Sequence, residues 1–108
     1  ITGCVLKYRT KAAPTDAAWQ RPLQDAQRAL RLLRAEATSH QWNASQIGVL
    51  GFSAGGQAAA LAATRFEHRS YEPIDAVDDV SCRPDFALLI YPWNLWDAKS
   101  DALWEPLQ

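Results

Sequence analysis

Gly51-Phe52-Ser53-Ala54-Gly55 is the constellation in this sequence whose residue types and spacing could do chemistry. It matches G-x-S-x-G, a pattern that is common by chance, so its context decides its weight. An apolar run, Ile47 to Phe52, leads straight into the serine, and an Ala-rich stretch opens at Ala54. A serine at such a sharp strand-to-helix turn is held in strained backbone geometry, with Oγ projecting above the sheet where it can attack a carbonyl carbon. The flanking glycines, Gly51 and Gly55, are expected to leave room that side chains would occupy. The start of the helix turns free N–H groups and a positive dipole end toward the serine, which places the Ala54 N–H to hold a developing oxyanion. This geometry requires a positive φ at Ser53. The plainer account is a Gly-Ser turn in which Ser53 only caps the helix. A cap, however, needs neither both glycines nor the further Gly56.

The elements that would position this serine follow from periodicity. Cys4 to Tyr8 suits a short strand, bounded by Gly3 and the polar stretch Arg9 to Asp16. From about Pro22 to Ala37, Leu23, Ala26, Leu30, Leu33 and Ala37 share one helical face. Gln24, Gln27, Arg28, Arg31 and Arg34 fall mostly on the other face, and Pro22 fits the first turn. Ile47 to Phe52 reads as a strand covered on both faces, and Ala54 to about Phe66 as a second helix. Glu67 to Asp85 is polar and irregular, Phe86 to Tyr91 is a third strand stopped by Pro92, and Trp93 to Gln108 has no clear period. Strand, helix, strand, helix, strand predicts an α/β fold with parallel strands and crossover helices. Ligands in such sheets bind beyond the carboxyl ends of the strands, so residues just after Tyr8, Phe52 and Tyr91 form the top.

Composition narrows the function classes. The chain has 108 residues, 48% hydrophobic and 21% charged, with a net charge of −1. Lys and Arg are spread along it, so no basic surface for nucleic acid is expected. No apolar run approaches the ~20 residues of a membrane span. Cys4 and Cys82 are too few for a disulfide scaffold and lack metal-ligand spacing, so neither a metal nor another cofactor is expected. The N-terminal Ile-Thr-Gly-Cys-Val-Leu does not read as a signal peptide; it reads as a chain entered in mid-strand.

Four blocks carry a resemblance. They are Val5-Leu6-Lys7-Tyr8-Arg9; Pro22-Leu23-Gln24-Asp25-Ala26-Gln27-Arg28-Ala29; Ile47-Gly48-Val49-Leu50-Gly51-Phe52-Ser53-Ala54-Gly55-Gly56; and Ser81-Cys82-Arg83-Pro84-Asp85-Phe86-Ala87-Leu88-Leu89-Ile90-Tyr91-Pro92. In this order they resemble the bacterial acetyl-xylan-esterase-like and prolyl-oligopeptidase-like serine hydrolases of the α/β-hydrolase fold. The resemblance implies that residues 1–108 are the central part of a single such domain, truncated at both ends. It implies that the three strands are the fourth, fifth and sixth of the family sheet. The family's His-Gly-Gly oxyanion loop would precede Ile1, and its catalytic Asp and His would follow Gln108. Gln57 stands where the motif usually has His. Members are often exported, so the resemblance, and nothing else in the sequence, points to a periplasmic or extracellular place.

The remaining candidates are weighed against this frame. Trp93 and Trp96 follow the third strand, where Trp93 could wall a substrate pocket or simply pack over the sheet end. Asp97 and Asp101 lie toward the top, and solvated loop carboxylates are the default for both. Arg9 and Asp25 are placed to form an ion pair. In the family sheet order, roughly 14 Å separates the strand of Cys4 from that of Cys82, so no disulfide is expected between them. Six strand residues put His40 roughly 20 Å below the serine. Twelve helical residues carry His68 roughly 18 Å down. A general base must come within ~3 Å, so neither histidine is expected to complete a triad, and the chain alone is expected to be inactive. The expectation is a serine hydrolase acting on a small-molecule or polysaccharide carboxylic ester. A peptidase of the same fold, or a non-catalytic relative, remains open.

Overall fold

The computed structural model describes all 108 residues. Its first element is α1, Gln20–Glu36. Its apolar stripe, including the buried Leu23, Ala26 and Leu30, packs on α2, Ala54–Thr64. Between them runs β1, Val49–Phe52, which pairs in parallel with β2, Ala87–Ile90, in the register Val49–Ala87 through Phe52–Ile90. Bonds from Asp85 N to the Ile47 carbonyl (2.7 Å) and from Ser53 N to the Ile90 carbonyl (3.1 Å) continue this ladder at both ends. A pair of two-residue strands, β3 (Trp96–Asp97) and β4 (Ala102–Leu103), forms an antiparallel hairpin in the C-terminal tail. The fold class expected from the sequence, α/β with parallel strands, is present. The core lies between the helices and one sheet face, where Ala26, Leu30, Ile47, Ala62 and Cys82 meet.

Two expectations are corrected. Cys4 to Tyr8 is not a strand. A strand exists only where its N–H and C=O groups are paired, and no other segment of the chain forms a ladder with this one. The segment is tethered instead through Arg9, whose guanidinium binds Asp25 (2.8 Å) while its backbone N–H donates to the same carboxylate (2.8 Å). Second, β1 and β2 are not covered on both faces. Leu50 and Phe52 are 55% and 52% exposed, and Leu88, beside Leu50, is 48% exposed.

The polar side of α1 does not face water. Gln27 and Arg31 are buried, because residues 65–85 run along that side and their backbone supplies hydrogen-bond acceptors. Gln24 donates to the Ser70 carbonyl (2.9 Å); Gln27 donates to the Arg65 and His68 carbonyls (2.9 and 3.0 Å) and accepts from Ser70. One turn on, Arg28 binds Asp75 and Asp78, Arg31 donates to the Val80 carbonyl (2.9 Å), and Arg34 donates to the Ser81 carbonyl and binds Asp85. This stripe does for the connection what a ladder does for a strand. A single 3-10 turn, Ala76–Asp79, interrupts the irregular run. Asp78 within it is buried and accepts from Tyr71 Oη, Arg28 and the Ile74 N–H. Burial alone would raise the Asp78 pKa, but those donors together hold its carboxyl well below the usual carboxylate range.

Candidate active site

Ser53 is the residue between β1 and α2, with φ 52° and ψ −120°. The positive φ required of an elbow serine is therefore present, and the residue is exposed at the carboxyl end of β1. Its side chain makes no capping hydrogen bond to α2. A capping serine has extended backbone and an Oγ engaged with N–H groups of the first turn. Ser53 has neither, so the capping account does not describe it. Its Oγ is left available, and its strained φ belongs to the class of outliers that cluster at functional sites.

The crowding that forces this turn is uneven. A Cβ at Gly51 would lie 2.0 Å from the Gly55 carbonyl oxygen and 2.3 Å from its carbon, so the first turn of α2 crosses directly over that position. At Gly55 a Cβ would meet only Tyr8 Oη, at 3.9 Å, an ordinary contact. The expectation that Gly55 is needed for room is thus not met, because its Cα faces outward toward the N-terminal segment. The second tight approach falls at Gly56, where a Cβ would lie 2.9 Å from Pro92. The sequence singled out Gly56 only as an extra glycine.

Above the strands, the Ser53 carbonyl accepts from the Trp93 N–H (3.0 Å) and from Gln57 N in α2 (3.1 Å). Trp93 is 60% exposed, and Trp96 is exposed as well. Asp97 turns inward on its own loop, accepting from Lys99 N (3.0 Å) and Ser100 Oγ (2.8 Å); the Lys99 N–H and the Ser100 hydroxyl hold its carboxyl below its ordinary value. Asp101 sits exposed with φ 51°. Neither carboxylate is joined to a histidine.

The histidines lie elsewhere. His40 follows α1, stacks on Trp42 (centroids 4.3 Å apart) and faces Glu36 at 3.6 Å. His68 lies beyond the far end of α2, with its carbonyl bonded to Gln27. Eleven helical residues separate that end from Ser53, a rise of roughly 16 Å. Cys4 is free and exposed; Cys82 is free and buried, and burial pushes its thiol pKa up.

Comparison with known proteins gives three matches. The BD-FAE family model matches residues 4–86. Endo-1,4-beta-xylanase B of Butyrivibrio fibrisolvens is 33% identical over 89 residues, which are 82% of this chain and 14% of that protein. The crystal structure of an acetyl ester-xyloside bifunctional hydrolase from Caldicellulosiruptor lactoaceticus superimposes with a TM-score of 0.64 at 44% identity. The match covers 73% of this chain and 29% of that one, so the chain spans under a third of either relative's length.

Proposed function

The chain belongs to the BD-FAE family, with an acetyl-xylan-esterase-like α/β-hydrolase character, and from that premise we propose that it carries the nucleophile of a serine esterase. The observation that carries this reading is Ser53 itself: exposed, at φ 52°, between strand and helix, with no capping bond. Ser53 Oγ attacks the ester carbonyl, and a C–O bond forms as the alcohol leaves; water then releases the acid from the acyl-enzyme. The Ala54 N–H, at the start of α2, donates to the tetrahedral oxyanion. Gly51 and Gly55 belong to the elbow, and Trp93 borders the substrate. The base that takes the serine proton comes from outside these 108 residues, since His40 and His68 lie at the opposite end of α2 and α1.

The substrate we propose is an acetyl ester on a xylan chain. One relative is named as a xylanase and the other as an acetyl ester-xyloside hydrolase, and both names point to the same polysaccharide. The bare sheet face and the small share of each relative that is matched support a further proposal, that residues 1–108 are the central part of one larger α/β-hydrolase domain. The test uses the full-length protein that carries this chain. It should release acetate from acetylated xylan and from p-nitrophenyl acetate, and Ser53→Ala should reduce both rates about ten-thousandfold. Cleavage of proline-containing peptides in place of esters would move the assignment to the peptidases of this fold.

A further inference from the structure

We propose that Gln57 is a positioning residue that fixes Trp93 as the platform for the sugar ring of the ester substrate. The inference rests on the reading of Ser53 as the nucleophile. Gln57 Nε2 donates to the Trp93 carbonyl (3.2 Å) and to the Asn94 carbonyl (3.3 Å). The Trp93 N–H donates to the Ser53 carbonyl, so the Trp93 residue is gripped at both ends, by the serine and by the glutamine one turn further along α2. Pro92 packs on Gly56 just before this loop and the Trp104 N–H bonds the Leu95 carbonyl just after it, so between those two anchors the Ser53 carbonyl and the Gln57 amide are what hold residues 93 and 94. Tyr91 (φ 35°) and Asn94 (φ 52°) lie either side of Trp93 in left-handed geometry, and Trp93 itself is 60% exposed. Two carbonyl acceptors demand a group with two hydrogens and no lone pair, which an amide nitrogen supplies and a carboxylate cannot.

The clamp therefore fixes the backbone that carries the Trp93 side chain at the carboxyl end of β2, one hydrogen bond from the residue that forms the acyl-enzyme. An acetyl methyl would cover little of a tryptophan left this exposed, whereas the C–H face of a sugar ring matches the area of an indole. A platform of this kind contributes to binding more than to the chemical step, so its loss should appear in KM.

The experiment compares an acetylated xylo-oligosaccharide with ethyl acetate, which has no ring, on the full-length protein. Gln57→Glu should raise KM for the oligosaccharide about tenfold, with kcat for it and kcat/KM for ethyl acetate unchanged within about twofold. Trp93→Ala should raise the oligosaccharide KM at least as much, and adding Gln57→Glu to it should add no more than about twofold. Equal losses on both substrates would mean that Gln57 supports the elbow and not the platform, and would overturn the inference; so would an unchanged KM. Should Gln57→Glu not fold, Trp93→Ala alone decides, since an unchanged oligosaccharide KM there also overturns it. Hydrolysis that survives Ser53→Ala would instead remove the reading on which the inference stands, and is told apart by that variant.

Discussion

Along residues 65–85 the chain has almost no regular structure, yet α1 provides a partner for each of its turns. Across β1 and β2 the backbone is regular and laddered along the one edge the two strands share, yet Leu50, Phe52 and Leu88 are about half exposed. Polar side chains at helical spacing hold the first region, and every buried side-chain nitrogen or oxygen in the molecule has a partner. The second region is apolar, and half of its burial capacity is unused. Regularity of the backbone and completeness of the packing are thus separate properties. Ser53 lies on the border between them: its backbone is fixed by the packed side, through α2 and Gly51, while its side chain is exposed.

The largest effect should come from forcing the border itself. Gly51→Val drives a Cβ into the Gly55 carbonyl, and should destabilise the 108-residue chain by at least about 3 kcal/mol in urea unfolding. Next is the polar clasp. Gln27→Leu strands the Arg65 and His68 carbonyls and the Ser70 donors without their partner, and a loss of about 2–3 kcal/mol is expected by the same measurement. A loss under ~0.5 kcal/mol would mean that the clasp is decorative.

Acid should unfasten the same region. Asp75 is held below its ordinary value by Arg28, and Asp85 by the Ile47 N–H and Arg34 against the pull of burial. For Asp78 and Asp25, burial raises the value but the donors around them outweigh it. A carboxyl with a lowered folded pKa stabilises in full above its unfolded value near ~4 and loses that contribution as pH falls through the folded value. The urea midpoint should therefore be flat from about pH 7 to 5 and drop below about pH 4, with a shallower drop in Arg28→Met. The smallest effect belongs to the bare face. Leu50→Ser with Leu88→Ser should cost under ~0.5 kcal/mol in the 108-residue chain while lowering its binding of an apolar dye. A penalty of about 2 kcal/mol or more, as for a core leucine, would show that the face is covered in solution.

Much of this was legible in the sequence where one rule governs. The stripe of Leu23, Ala26 and Leu30 announces α1, the apolar runs announce β1 and β2, and the G-x-S-x-G context announces the turn at Ser53. Legibility failed where a partner decides. Val5 and Leu6 have strand-like character, but a strand needs a neighbour and composition carries no neighbour. Gln27 and Arg31 could be placed on the polar face of α1 but not given partners, because those partners are carbonyls of a connection whose path has no periodic signal. Gly56 mattered more than Gly55 because Pro92 approaches it, a contact set by the turn after β2. Strands of two residues, as in β3 and β4, are too short for any period to register.

The central claim is that Ser53 Oγ is an activated nucleophile, and a serine-directed fluorophosphonate tests it most directly. Treated with this reagent, the full-length protein should gain one phosphonyl adduct, and tandem mass spectrometry of the peptide spanning β1 and α2 should locate it on Ser53. Ser53→Ala should remain unlabelled and inactive. An adduct on another serine, or full ester hydrolysis by a protein whose Ser53 is unmodified after exhaustive labelling, would contradict the account.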